Sequence, residues 1–144
     1  MSRNVYSEIF IHLVWRTKDN LPLITEKIEK PLYDYLQHRC AQTQGVFFHA
    51  INGTQDHIHL CVSVPPTLLI SDWIGELKGA SAYYLNHKIR PKALQWQTGY
   101  GVISFGKNNL KFVKDYVLNQ KTHHTVGNTH RRLEIIESEA EDKD

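Results

Sequence analysis

The sequence predicts an α+β domain: a ferredoxin-like, RRM-like split βαβ with a four-stranded antiparallel sheet, helices on one face and an added C-terminal helix. Three observations predict it. Period-two apolar alternation recurs at residues 6–17 and 57–64, the mark of strands. Helical spacing of apolar residues fills the long stretches after the first and third strands. The resulting order, β-α-β-β-α-β-α, is that of the split βαβ unit.

The first strand, residues 6–17, carries Ile9, Ile11, Leu13 and Trp15 on one side and Phe10, His12, Val14 and Arg16 on the other. Apolar residues on both faces place it centrally. Asn20 and Pro22 turn the chain, and Thr25 is a candidate N-cap for a helix through Ile28, Leu32, Tyr35 and Leu36. Pro31 argues for a start nearer Glu29 or for a kink. Val46 to Asn52 forms the second strand. Asn52-Gly53 signals a tight hairpin into the third strand, which Pro65-Pro66 ends. Ser71 or Asp72 caps a second long helix reaching about His87, with Trp73, Leu77, Ala80 and Tyr84 along one face; Gly75 and Gly79 weaken it or permit close packing. After a connector from Arg90 to Gln97, Gly99 to Phe105 reads as the fourth strand. Asn108 or Asn109 then caps a helix through Gln120. A loop at Val126–Thr129 and a short helix from His130 to about Ile136 follow. The expected division is a catalytic domain over 1–128 and a C-terminal helix with an acidic tail over 129–144.

A chain of 144 residues is one domain with room for a proper core. No stretch has the length of apolar sequence needed to span a bilayer, and the first residues lack a signal-peptide core. Only Cys40 and Cys61 are present, so a disulfide framework is excluded and a reducing cytoplasm is the expected compartment. Net charge is +2, but unevenly spread: residues 134–144 carry −5, leaving +7 on the rest. A basic body fits a polyanionic partner.

The chemistry centres on Gln55-Asp56-His57-Ile58-His59-Leu60-Cys61-Val62-Ser63-Val64. Ile58, Leu60, Val62 and Val64 point into the core. His57 and His59 share the opposite, outward face, two residues apart, where both imidazoles can meet one ion. Tyr116 and Gln120 are i and i+4 on the expected tyrosine helix and share its face. Two imidazoles with an amide oxygen make a mixed N/O site suited to Mg²⁺ or Mn²⁺ once phosphate oxygens complete the shell. A phenol beside such an ion is a nucleophile that needs activation, since its ordinary pKa is about 10.

Several segments together resemble the single-tyrosine HUH transposases, small transposases of insertion sequences that move as single-stranded DNA. They are His12-Leu13-Val14-Trp15-Arg16-Thr17-Lys18, Gly53-Thr54-Gln55-Asp56-His57-Ile58-His59-Leu60, Glu76-Leu77-Lys78-Gly79-Ala80-Ser81, Trp96-Gln97-Thr98-Gly99-Tyr100-Gly101, and Tyr116-Val117-Leu118-Asn119-Gln120-Lys121-Thr122-His123-His124. The resemblance implies that His57 and His59 are the metal pair, Gln120 the third ligand and Tyr116 the nucleophile that takes the 5′ phosphate. It also implies an obligate homodimer with composite active sites and recognition of DNA hairpins at the element's ends. Lys78 is the first candidate for DNA contact, followed by Arg16 and Lys18. Trp96, Tyr100 and Phe105 either stack bases or pack in the core. His123 and His124 read as ordinary helix-end histidines, and Asp56 as a residue that orients a ligand imidazole or closes the hairpin.

Three rival readings compete with a transposase. A non-catalytic nucleic-acid-binding module would keep DNA affinity and form no covalent adduct. A metallohydrolase would cut without Tyr116, and no carboxylate at suitable spacing supports it. A replication-initiator or relaxase-type nickase shares the chemistry, but the small size of the chain argues against it.

Overall fold

The computed structural model of the chain describes residues 5–125, 127 and 129–136. The expected acidic tail beyond Ile136, and Val126 and Asn128 of the expected loop, lie outside them. Four strands form one antiparallel sheet: β1 (Phe10–Arg16), β2 (Phe47–Gly53), β3 (His57–Ser63) and β4 (Gly101–Phe105). Their order is β2-β3-β1-β4, the pairing expected of a split βαβ unit. Between them run α1 (Glu26–Gln42) and α2 (Ile70–Lys88); after them come α3 (Leu110–Leu118), α4 (Gln120–Thr125) and α5 (Arg131–Glu134).

The period-two pattern sorts side chains to two faces. Ile11, Leu13 and Trp15 of β1 join Ile58, Leu60 and Val62 of β3 beneath Ile28, Leu32 and Leu36 of α1 and Trp73, Leu77 and Leu85 of α2. Each such aliphatic side chain contributes about 1.5–3 kcal/mol by leaving water. On the other face, Ala50, Cys61, Val113 and Val117 form a second small core with Phe105 and Leu110 at its margin. This second core changes the expected picture. The histidine face is no plain, outward surface: α3 packs across β2 and β3, and His59 is fully buried. The cause is the amphipathic α3, whose Val113, Tyr116 and Val117 face the sheet while Phe112 and Leu118 stay exposed.

Local details also differ from expectation. α1 begins at Glu26 and runs through Pro31, which forgoes one backbone hydrogen bond. Thr25 holds the N-cap position without a side-chain capping bond. The N-cap of α2 is Leu69, not Ser71 or Asp72, and a Cβ at Gly75 or Gly79 would meet open space, so neither glycine serves close packing. The hairpin is present, but its turn lies at residues 54–56: Asn52 and Gly53 remain in β2, paired with His59 and Ile58. Gly53 is required by contact, since a Cβ there would lie 2.2 Å from the His57 carbonyl oxygen. The expected tyrosine helix is broken, with Asn119 (φ −102°, ψ 21°) separating α3 from α4.

Candidate metal and nucleophile site

His57 and His59 stand on the face of β3 that α3 covers. Across the ladder, His59 pairs with Val14 and Asn52, and His12 lies opposite Cys61. The two metal candidates are oriented from behind. His57 Nδ1 is 2.7 Å from Asp56 Oδ1 and 3.0 Å from Thr54 Oγ1. His59 Nδ1 is 2.7 Å from His12 Nε2. In each ring, a proton on Nδ1 leaves the Nε2 lone pair aimed into the site, the usual support for a metal-ligating histidine. Burial lowers the pKa of His12 to about 3, with neighbouring His59 adding to the shift. Burial also lowers His59 to about 4. Both imidazoles are neutral at ordinary pH. His57 titrates higher than usual: burial opposes protonation, but the carboxylates of Glu134 and Asp56 beside it outweigh that.

Tyr116 and Gln120 come to the same place despite the helix break. The Tyr116 ring lies edge-on to His59, with centroids 6.0 Å apart. Its hydroxyl donates to Glu134 Oε2 and accepts from the His130 backbone N–H at 2.8 Å. Gln120 Nε2 is 3.4 Å from the same carboxylate oxygen. Burial, then the bond to Glu134, raises the phenol pKa to about 12. One chain thus gathers all four expected residues, His57, His59, Tyr116 and Gln120.

Three further residues join them. His124 Nε2 is 3.2 Å from His57 Nε2, so it is not the ordinary helix-end histidine expected. Glu134 Oε1 lies 3.2 Å from His59 Nε2 and 3.5 Å from both His57 Nε2 and His124 Nε2. Burial disfavours the Glu134 carboxylate, yet the imidazoles of His57 and His59 beside it hold its pKa well below the usual range. His12 supports from beneath. Period two already placed His12 on the histidine side of β1. Glu134 carried no signal, because it read as the first acid of a charged tail.

The donor set could hold a metal ion. One ligand atom from each of His57, His59, His124 and Glu134 lies within 4.8 Å of the others. His59 Nε2 and Gln120 Oε1 are buried without a hydrogen-bond partner; the 3.2 Å approach of Glu134 to His59 does not have hydrogen-bond geometry. Orphaned buried acceptors are costly, and an ion held by the cluster would satisfy His59 Nε2. A cleft of about 740 Å³ opens onto this cluster, bordered by Arg16, Thr54, His57, Lys121, His124 and Glu134.

The basic candidates are placed differently. Lys78 Nζ donates to the carbonyls of Gln97 and Gly99 at 2.7 and 3.0 Å; it fastens the loop before β4, and partial burial lowers its pKa. Arg16 borders the cleft, and Lys18 is exposed in a short 3₁₀ turn. Trp96 packs edge-on to Trp15 and Phe105 stacks on Phe10, while Tyr100 lies against the main core. All three aromatics are engaged within the protein.

The model of the family described as "Transposase IS200 like" matches residues 5–120. The chain belongs to the IS200-like transposase family. Among members, the ISDra2 transposase TnpA of Deinococcus radiodurans is 26% identical over 125 residues, spanning 82% of this chain and 88% of that protein. The transposase for insertion sequence element IS200 of Salmonella typhimurium is 34% identical over 79 residues, about half of each chain (50% and 51%). The crystal structure of a Deinococcus radiodurans R1 protein assigned as a transposase superposes with a TM-score of 0.65 at 25% identity, covering 83% of this chain and 96% of that one. A REP-associated tyrosine transposase, solved bound to a REP hairpin, shares the fold at a TM-score of 0.56 and 15% identity, covering 90% of this chain and 75% of that one. Membership makes this IS200-like transposase a DNA-processing protein of DNA recombination. Its histidine-rich cluster is one that can hold a metal ion. Among the described residues no helix is long and apolar enough to cross a membrane.

Proposed function

We propose that this protein cleaves and rejoins single-stranded DNA at transposon ends through a covalent 5′-phosphotyrosine intermediate, with the help of Mg²⁺ or Mn²⁺. The observation that carries this reading is the convergence of the Tyr116 hydroxyl and Gln120 on His57 and His59 within one chain. His57, His59 and Gln120 would hold the ion. When bound, the ion supplies Lewis-acid polarisation of the scissile phosphate and helps a reluctant phenol ionise. Asp56 and His12 keep the two imidazoles in the required tautomer. Tyr116 supplies the nucleophilic oxygen. A tyrosyl O–P bond forms as the P–O3′ bond breaks, the phenol gives up its proton and the leaving 3′ oxygen gains one. The ester conserves the bond energy for rejoining.

Arg16 and Lys18 are the proposed DNA contacts at the cleft, with Lys78 contributing through the loop it fastens. Hairpins are the proposed targets, in line with the REP hairpin bound by the structural neighbour. The proposed assembly is a cytoplasmic homodimer. Tyr116 and Gln120 sit on the histidines of their own chain, which supports cleavage in cis and makes composite sites an exchanged form of the same contacts.

The test is a denaturing gel of protein incubated with single-stranded hairpin oligonucleotides and Mn²⁺. A covalent adduct is expected from the wild type and not from Tyr116→Phe. An adduct from Tyr116→Phe would defeat the assignment.

A further inference from the structure

Glu134 closes the cluster of imidazoles and phenol. Its two oxygens face three imidazole nitrogens, the Gln120 amide and the phenol, and no other carboxylate among the described residues joins that cluster. The segment that delivers it has a built seat. Leu133 and Ile136 are buried on either side of it. The His130 N–H bonds the phenol oxygen. Opposite, β4 presents Gly101, where a Cβ would lie 1.8 Å from the Ile135 carbonyl oxygen. The bare glycine is what lets this strap lie flat against the sheet.

A carboxylate and a phosphodiester oxygen are both anionic acceptors. They cannot fill one space bounded by the same imidazoles and phenol, and at about 4 Å like charges repel strongly away from water. A carboxylate accepting from the phenol also favours its protonated, unreactive form.

We propose that Glu134 is an exchangeable metal ligand, carried on the strap of residues 130–136, that fills the scissile phosphate's position at the ion when no DNA is bound. The proposal rests on the metal-assisted reading above. It makes DNA entry an exchange of one anion for another and ties release of the nucleophile to displacement of the strap.

Mn²⁺ affinity of the full chain without DNA, measured by titration calorimetry, tests the first half. Binding of a random-sequence single-stranded oligonucleotide at saturating Mn²⁺, in a Tyr116→Phe background, tests the second. Glu134→Gln is expected to weaken Mn²⁺ binding at least about tenfold and to tighten oligonucleotide binding severalfold. Gly101→Ala, which unseats the strap without altering a ligand, is expected to move both readings the same way; the isosteric Glu134→Gln decides should Gly101→Ala fail to fold. Wild-type Mn²⁺ affinity that is lost in His57→Ala but unchanged in Glu134→Gln overturns this proposal alone. Weaker oligonucleotide binding by Glu134→Gln also overturns it, since Glu134 would then belong to the DNA-bound site. A wild type that binds no Mn²⁺ overturns the metal reading and this proposal together.

Discussion

His12 Nε2 meets His59 Nδ1 at 2.7 Å across the β1–β3 ladder, and both rings are buried. Removing His12 leaves the His59 Nδ1–H unsatisfied in a dry interior, at a cost of about 1–3 kcal/mol. It also frees the ring to change tautomer. His12→Ala is therefore expected to lose that much stability in urea unfolding and to weaken Mn²⁺ binding about 10–100-fold. Unchanged Mn²⁺ affinity in a destabilised but folded variant would reduce His12 to a packing residue.

Because His59 Nε2 and Gln120 Oε1 are buried acceptors without partners, an ion that binds them stabilises the folded state only. At a hundred times its dissociation constant the gain is about 2.7 kcal/mol, which for a domain this size is a rise of several degrees in Tm. Adding excess chelator should reverse it. His57→Ala, lacking one ligand, is expected to show little or no rise. An equal rise in that variant would place the ion elsewhere.

The strands and the two long helices were legible because their apolar spacing reports directly which face each residue buries. The histidine pair was legible for the same reason: period two forces His57 and His59 to one side of β3. That this side is roofed was harder to read, since α3 covers it with only Val113, Val117 and Tyr116. Long-range completion was only partly legible. Glu134 enters from the start of a charged tail, with no spacing rule linking it to the site. His124 is i+4 from Gln120 on α4, the rule that links Tyr116 to Gln120, but only the tertiary path of the chain brings that face to β3. Lys78 shows the converse. Its charge and position suggested phosphate, whereas two loop carbonyls already engage its ammonium.

Lys121 offers a similar choice between DNA and fold. Its ammonium sits 2.5 Å from Glu29 Oε2 and 2.6 Å from Asn52 Oδ1, while Asn52 Nδ2 donates to the Leu118 carbonyl at 2.8 Å. These bonds latch the break between α3 and α4 to β2 and α1, beside Gln120. The ion pair is half-exposed, so it contributes at most about 1 kcal/mol to stability. Its value lies in alignment. Lys121→Met is expected to slow adduct formation about tenfold while leaving DNA affinity and its salt dependence unchanged. A lysine that instead neutralised a phosphate would, on removal, weaken binding across sequences and lower the salt slope by about 1. Anisotropy titrations at several salt concentrations separate the two. A shallower slope for Lys121→Met would move this residue from the latch to the DNA interface.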